Sequence, residues 1–529
     1  MPATTMKHAI NNKTPCTFIE NREKNISLLK EAGSYDEQWE HDNCGVGMVV
    51  SIDGQPSREV VVSGIEALKV LFHRGAVDAD GKTGDGAGIH LELPQKFFGE
   101  HITRTGHTMV PRETLAVGMV FLPKSDLSAQ ETCRTIVEKE VLSAGYKIYG
   151  WRQVPVNISV IGEKANTTCP EIEQIMLSKP KEVDKESLER DLYIVRRKIE
   201  NQVRERTIND FYLCSLSCRS IIYKGMFVAE QLSTFYPDLL DQNFISSFAI
   251  YHQRYSTNTF PTWRLAQPFR MLAHNGEINT LLGNINWMKA HECRLESDLF
   301  GDRIEDIKPI IQNGSSDSEA LDAAFELLCR GGRNAPMTKS LLIPESISQN
   351  VVMPENHKAL FSYCNAVMEP WDGPAALCAT DGRWVIAGVD RNGLRPMRYT
   401  LTKDNLLIVG SETGMVNIPN ASVIEKGRVG PGETIAVDLT QGRFYRDKAV
   451  KDMLANKYPY DEWCKKTTLL DTTVTDEAPE NGEMSPEELR RRQVSYGITM
   501  EDLELILHPM AIDGKEATAS NNPSNVLNI

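Results

Sequence analysis

The chain has 529 residues, 41% of them hydrophobic and 25% charged, which is typical of a globular protein with room for more than one domain. Its formal net charge of −14 at pH 7 repels phosphate backbones and argues against a nucleic-acid partner. No apolar run approaches the ~20 residues that span a membrane, and the 11 cysteines lack paired spacing, so we expect reduced thiols in a cytoplasmic protein.

The chain begins with a polar leader. Residues 1–43 mix basic and acidic side chains and contain no long apolar stretch, so they do not predict a secretory signal. We interpret them as a propeptide. Its removal would leave Cys44 as the first residue, which would then supply both a nucleophilic thiol and a free α-amine as its base.

Cys44 stands directly before two glycines and an apolar run. The segment is Cys44-Gly45-Val46-Gly47, and the run over residues 46–52 predicts a buried strand. A cysteine at the edge of a strand is usually a small core residue. Cys44 therefore does not indicate catalysis by itself.

The middle of the chain combines predicted helices and strands. Helical spacing of apolar residues predicts a helix over residues 63–71 and a long one over 180–206. The face of the long helix opposite its apolar residues is mostly charged, so we interpret this helix as a solvated surface helix. Apolar runs bounded by turn residues predict strands at 114–122, 375–379, 384–389 and 406–409.

Two segments have a superficial likeness to ligand sites. Cys214 and Cys218 alternate like residues on one face of a strand, but no histidine or second cysteine pair accompanies them, so no metal site is predicted. The glycine-rich loop 84–88 lacks the Lys-Ser/Thr of a phosphate-binding loop and the full spacing of a dinucleotide fingerprint. No nucleotide site is predicted there.

The composition changes after residue 468. Residues 469–484 are acidic and poor in apolar residues, which predicts a linker. Ser485-Pro486 then suits the cap and first turn of a helix, and a second helix is predicted over 500–507. Two short helices cannot bury much core alone, so we interpret residues 485–529 as the start of a central domain that is cut short.

Four further motifs, far apart in the chain, carry polar residues suited to chemistry. They are His73-Arg74-Gly75-Ala76, Tyr251-His252-Gln253-Arg254, His274-Asn275-Gly276-Glu277 and Ser315-Ser316-Asp317-Ser318. Together with Cys44, these motifs and their order resemble the class II glutamine amidotransferases, which are N-terminal nucleophile hydrolases. Segments 73–80, 248–259, 370–376 and 390–396 further resemble the amidotransferase domain of the glutamate synthase family, and the resemblance runs from about residue 35 to about residue 516.

The resemblance implies a fold and a reaction. The fold would be α+β, a four-layer αββα N-terminal nucleophile hydrolase sandwich with additional helices and a short C-terminal helical extension. The amidotransferase domain would span residues 44–468. The reaction would be hydrolysis of L-glutamine to L-glutamate and ammonia through a thioester on Cys44, in the service of glutamate biosynthesis and ammonia assimilation.

The resemblance also assigns roles to site residues. Asn275 would stabilise the oxyanion with its side-chain amide and Gly276 with its backbone N–H, although Asn-Gly is by itself a common turn. Arg254 would hold the α-carboxylate of glutamine with a bidentate guanidinium, Asp317 would hold the α-ammonium, and Arg74 would border the site. Without the resemblance, Arg254 is equally a structural ion-pair partner, Asp317 a helix cap and Arg74 a solvated loop residue.

Full-length members of the resembling family carry FMN and an iron–sulfur cluster in a synthase domain that reduces 2-iminoglutarate to glutamate. No cysteine cluster suited to such a centre occurs in this sequence, so we expect no cofactor and no metal in this chain. Expected partners are L-glutamine and either a separate synthase-domain chain or the small glutamate synthase subunit. Two alternatives stay open: a hydrolase of the same fold acting on another amide, and an inactive or partner-dependent remnant.

Overall fold

The structure is a computed structural model that describes residues 27, 31, 44–108, 114–180, 183–254, 260–347, 352–467 and 484–513. Almost all of the predicted leader and of the predicted acidic linker lies outside the described residues. The chain divides into two compact units, residues 1–458 and 459–529.

The strands of the first unit pair in antiparallel fashion. They are β1 (Gly45–Ser51), β2 (Ala87–Glu92), β3 (Thr114–Leu122), β4 (Lys147–Gln153), β5 (Glu171–Lys179), β6 (Tyr212–Ser217), β7 (Ser220–Gly225), β8 (Phe248–Gln253), β9 (Leu272–Gly276), β10 (Ala375–Thr380), β11 (Trp384–Val389), β12 (Arg398–Thr402), β13 (Leu406–Gly410), β14 (Val423–Arg428), β15 (Thr434–Asp438) and β16 (Arg443–Tyr445). The strands predicted from apolar runs are confirmed to within a residue or two, because those runs are buried in the sheets.

The helices of the first unit flank these strands. They are α1 (Arg58–Val70), α2 (Gln95–Arg104), α3 (Leu127–Ser143), α4 (Glu163–Thr167), α5 (Lys185–Glu205), α6 (Leu232–Phe235), α7 (Leu281–Glu292), α8 (Asp317–Arg330), α9 (Ala335–Leu342), α10 (Glu355–Val367) and α11 (Asp447–Ala455). Helix α1 begins five residues before the predicted 63–71, because Ser57 accepts a hydrogen bond from the Val60 N–H and caps it there.

Two sheets form the centre of the unit. A seven-stranded sheet has the order β14-β12-β13-β1-β8-β2-β7, and a five-stranded sheet has the order β16-β15-β11-β10-β9. Alternate residues of β1 and β10 pack between them, including Val46, Met48 and Cys378. Helix α1 covers the outer face of the larger sheet, and α8, α9 and α11 contact the smaller one. The predicted four-layer αββα arrangement is confirmed.

A third sheet is an addition that the sequence analysis does not predict. It has four strands in the order β4-β5-β3-β6, and α3 and α5 pack on it around a separate hydrophobic core. The larger core of the unit joins this sheet to the seven-stranded one.

Helix α5 corrects one interpretation, because it is not a solvated surface helix. Arg196 and Arg197, on its charged face, are only 2% and 3% exposed. Arg196 forms ion pairs with Glu200 and with Glu326 of α8. A charged helix face has the same sequence pattern whether water or opposite charges cover it, and here the charges are buried and paired.

The prediction that Cys214 and Cys218 share one face of a strand is wrong, because the register of β6 shifts. The pairing of β3 with β6 slips by one residue between Met119 and Val120, which breaks the alternation along β6. Cys214 lies in the core next to the seven-stranded sheet, and Cys218 lies in the core under α3 and α5.

The second unit contains short helices. They are α12 (Tyr460–Cys464), α13 (Pro486–Ser495), a π-helical turn over Asp502–Leu507 and α14 (His508–Asp513). Ser485 caps α13 as predicted, accepting a hydrogen bond from the Glu488 N–H. The helix predicted over 500–507 is longer than expected, because the π-helical turn leads without a break into α14, with the His508 N–H bonded to the Leu503 carbonyl. In the part of the chain that the structure describes, every helix is too short or too polar to cross a bilayer.

Candidate active site

The start of β1 places Cys44 between the two central sheets. Along β1, Val46 and Met48 pack toward the five-stranded sheet, whereas Val49 packs toward α1. The period of two along a strand puts residue 44 on the same side as residues 46 and 48. The half-buried Cys44 therefore lies on the face of its sheet that looks toward β9.

Gly45 allows a short 3₁₀ helix, Leu71–Arg74, to pack against the start of β1. A Cβ added to Gly45 would lie 2.8 Å from Leu71 Cδ1, closer than two carbon atoms tolerate. Only glycine at position 45 leaves room for Leu71. This close packing brings the 3₁₀ helix that carries Arg74 to the Cys44 end of the strand.

Arg74 is held at this end by Glu412, which follows β13, the neighbour of β1. The Arg74 Nε atom lies 2.6 Å from Glu412 Oε1, and His73 Nε2 lies 2.7 Å from the same oxygen. Burial raises the pKa of Glu412, but the hydrogen bonds with His73 and Arg74 outweigh it and hold the pKa below its ordinary value. Arg74 is thus an ion-paired residue near the Cys44 end of β1 and not simply a solvated loop residue.

Arg254 lies beside Cys44 across the sheet. Gln253 of β8 pairs with Gly45, so the antiparallel register brings the next residue, Arg254, level with Cys44. Its backbone N–H donates to the Gly86 carbonyl at 2.9 Å, and the residue is only 8% exposed.

Burial and nearby negative charge act in opposite directions on the guanidinium of Arg254. Burial lowers the pKa of its guanidinium, and negative charge at Cys44, Asp85 and Asp317 opposes that shift. Arginine keeps its proton throughout the physiological range. The site therefore contains a buried fixed cation near the thiol.

Asn275 and Gly276 end β9, the edge strand of the five-stranded sheet. Asn275 is 2% exposed, and its Nδ2 atom donates to the Cys44 carbonyl oxygen at 2.9 Å. An amide nitrogen carries two hydrogens, so this bond orients the amide and leaves the other N–H for a ligand. Gly276 has φ of 154°, and a Cβ there would lie 1.8 Å from the Pro374 carbonyl oxygen, so the turn accepts only glycine.

Asp317 is the first residue of α8. The helix cap is its neighbour Ser316, whose hydroxyl accepts from the Glu319 N–H at 3.2 Å, so Asp317 is not the cap. Its Oδ2 atom instead accepts from the Ile278 N–H at 3.0 Å. Asp317 is thereby bonded to the segment that follows Gly276.

Two residues at the border of the site were not predicted as site residues. Gln253 is fully buried and its Oε1 atom accepts from the Ala229 N–H at 2.6 Å. Glu412 binds Arg74. A polar residue directly beside a proposed ligand arginine, and an acid just after a buried strand, were the signals available in the sequence.

The glycine-rich loop 84–88 has a packing explanation. A Cβ on Gly84 would lie 2.4 Å from the Phe227 backbone, and one on Gly88 would lie 2.6 Å from the Gln267 carbonyl oxygen. Its glycines permit close backbone approach, and the Gly86 carbonyl accepts the Arg254 N–H. Among the described residues, no group of three or more His, Cys, Asp or Glu is placed to hold a metal ion.

Most of the chain matches the model of one protein family. Residues 44–463 match the family of the class-II glutamine amidotransferases. The chain belongs to this family. The match begins at Cys44 itself, and it covers every residue that the geometry brings together at the site.

Several similar proteins are longer than this chain. The chain is 62% identical to the glutamate synthase [NADPH] large chain of Azospirillum brasilense over 95% of this chain and 33% of that protein. It is 42% identical to ferredoxin-dependent glutamate synthase 2 of a Synechocystis strain over 90% of this chain and 31% of that protein. It is 40% identical to the glutamate synthase [NADPH] large chain of Bacillus subtilis over 93% of this chain and 32% of that protein. The chain spans about a third of the length of these relatives.

Proposed function

We propose that this class-II amidotransferase domain hydrolyses L-glutamine to L-glutamate and ammonia, with the Cys44 thiol as nucleophile. The observation that carries the proposal is the contact of the Asn275 amide with the Cys44 carbonyl at 2.9 Å. That contact places an amide donor beside a half-buried thiol, which are the two groups that acyl transfer needs most.

The reaction would proceed through a thioester. Removal of residues 1–43 exposes the α-amine of Cys44, whose pKa near ~8 suits proton exchange at neutral pH. The amine takes the thiol proton, the sulfur attacks the side-chain amide carbon, and ammonia leaves with a proton. Water then hydrolyses the thioester and releases L-glutamate. Asn275 and Gly276 N–H groups would stabilise the oxyanion in both steps.

The two charged residues suit the head group of an amino acid. A guanidinium binds a carboxylate in bidentate fashion, so Arg254 would hold the α-carboxylate while Asp317 takes the α-ammonium. Arg74 would close one border of the site through its ion pair with Glu412. This pair of opposite charges favours glutamine over a simple amide as the substrate.

The ammonia would serve glutamate synthesis in a larger assembly. The relatives are glutamate synthases about three times as long, so the remaining part of such a protein, a separate synthase chain or the small subunit would use the ammonia, and FMN and an iron–sulfur cluster would belong there. A partner-dependent domain that is idle alone is the second candidate, favoured by the short span of the chain relative to those proteins.

The test of the proposed function is ammonia release from L-glutamine by the purified chain, with and without added synthase domains. We expect activity, and we expect the intact mass of the active protein to correspond to a chain that starts at Cys44. A fully active protein that still starts at Met1 would refute the terminal-amine mechanism. Activity that appears only with synthase domains would establish the partner-dependent alternative.

Arg254→Lys is expected to raise the KM for L-glutamine about tenfold or more, because lysine keeps the charge but cannot form the bidentate pair. The matched control is Arg383→Lys, which replaces an arginine with two hydrogen bonds to Asp438, at 3.2 and 2.8 Å, away from Cys44. Steady-state kinetics of both variants measure the effect. An equal rise in KM for both variants would contradict the proposal that Arg254 binds the α-carboxylate of glutamine.

A further inference from the structure

A closed ring of hydrogen bonds joins β9 to α8. His274 Nδ1 lies 2.9 Å from the Ser318 hydroxyl, and that hydroxyl lies 3.3 Å from Asp317 Oδ1. The other carboxylate oxygen of Asp317 accepts from the Ile278 N–H at 3.0 Å. Between His274 and Ile278 the backbone carries residues 275–277, so the ring contains both proposed oxyanion donors and the carboxylate proposed to bind the ammonium.

The directions of these bonds follow from the groups involved. A carboxylate only accepts, so the single Ser318 hydrogen is donated to Asp317, and Ser318 accepts from the Nδ1–H of His274. His274 is 1% exposed, and burial lowers its pKa although the Asp317 carboxylate opposes that shift. The neutral ring, protonated at Nδ1, therefore completes the ring of bonds.

A second set of bonds fixes α8 along β9. Asp322 lies one helical turn after Ser318 on the same face of the helix. Its Oδ1 atom accepts from the N–H groups of Met271 and Leu272 at 2.8 and 3.0 Å. Asp322 is fully buried, and these two bonds join α8 to the start of β9.

We propose that Ser318 is a positioning residue that sets which length of amide substrate the site accepts. By closing the ring, it fixes the separation between the Asp317 carboxylate and the donors of Asn275 and Gly276. This inference rests on the proposed function, in which those groups hold the two ends of one substrate.

The consequence is selection between two natural amides. L-glutamine has two methylene groups between its α-carbon and its amide carbon, whereas L-asparagine has one. If both ends of the site are fixed, the shorter molecule cannot bind Asp317 and still reach the oxyanion donors, because small displacements of the reacting carbon are costly. If the ring opens, the carboxylate gains freedom and the shorter molecule is disfavoured less.

The experiment compares L-glutamine with L-asparagine as substrates of the full chain. Ser318→Ala removes both hydrogen bonds of that hydroxyl and is expected to lower the ratio of the two kcat/KM values by about fivefold. His274→Phe opens the same ring from the strand side and is expected to give the same change. The double variant is expected to show no further loss than Ser318→Ala, since the bond that His274→Phe breaks is already absent in Ser318→Ala.

A matched control separates this effect from general destabilisation. Ser340 is a buried serine on α9 whose hydroxyl donates to the Pro336 carbonyl at 3.0 Å. Ser340→Ala loses a comparable bond elsewhere, so stability falls while the ratio is unchanged. As a readout that needs no turnover, the rates at which diazoketone analogues of glutamine and asparagine label the Cys44 thiol are compared by intact mass.

The outcomes distinguish the inference from the proposed function. A lower ratio of glutamine to asparagine rates in Ser318→Ala than in the wild type, for turnover or for labelling of Cys44, supports the inference. An unchanged preference in a well-folded Ser318→Ala overturns it and leaves the proposed function standing. A wild-type chain that neither turns over glutamine nor is labelled faster by its analogue overturns both.

Discussion

Replacing Cys44 by alanine is expected to lower ammonia release from L-glutamine by about 10⁴-fold or more, which is typical for the loss of a catalytic nucleophile. The substitution leaves the backbone carbonyl that accepts the Asn275 bond in place, so the folded structure is expected to persist. Ammonia release measures the rate, and circular dichroism checks the fold. Intact mass shows whether the leader was removed from the variant.

The matched control for this variant is Cys293→Ala. Cys293 is an exposed cysteine at the end of α7, with its sulfur 3.6 Å from the Lys289 carbonyl, and it takes no part in the site. We expect it to keep full activity and the mature start at Cys44. A Cys44→Ala protein with activity within tenfold of the wild type would contradict the nucleophile assignment.

Several strand positions could be predicted because their signals are local, whereas Cys44 became a candidate only through motifs far away in the chain. The apolar run after Cys44 reads directly as β1, and the run over residues 114–122 matches β3 residue for residue. A continuous apolar run needs no knowledge of the partner strand, because burial on both faces already explains it. The family motifs then predicted that distant residues belong to one site, which the periodicity of apolar residues could not do.

Proximity within the site could not be predicted from the residues alone. Cys44 and Arg254 are about two hundred positions apart, and only the pairing of β1 with β8 brings them level. The bond between Asn275 and the Cys44 carbonyl joins two different sheets. Such contacts depend on register and sheet packing, which no short stretch of sequence encodes.

The roles of some polar residues were predicted wrongly because these residues have partners within the protein. In α5, Arg196 and Arg197 read as solvent-facing, but buried carboxylates pair with them. At the start of α8, both Ser316 and Asp317 are good helix caps by residue type, and only the structure shows that the serine caps while the aspartate bonds to Ile278. In both cases the partner, not the residue, decides the role.

Replacing Asn275 by alanine is expected to lower kcat by about 10²–10³ and to change the KM for L-glutamine far less. Loss of one oxyanion donor typically costs this much in rate. In the proposed function, Arg254 and Asp317 would hold the charged ends of the substrate, and the change does not touch them. Steady-state kinetics separate the two parameters. A variant in which only KM rises would place Asn275 in substrate binding instead of oxyanion stabilisation.

Asn284→Ala is the control that isolates the oxyanion effect from the cost of losing a buried amide. Asn284 is also buried, on α7, and its Nδ2 atom donates to the Pro370 carbonyl at 3.0 Å. Both variants are expected to lower the free energy of unfolding by about 1–3 kcal/mol, but only Asn275→Ala should lose turnover. Equal losses of kcat would mean that stability, not oxyanion binding, limits activity. Unequal losses would assign the difference to the N–H group that Asn275 directs beside Cys44.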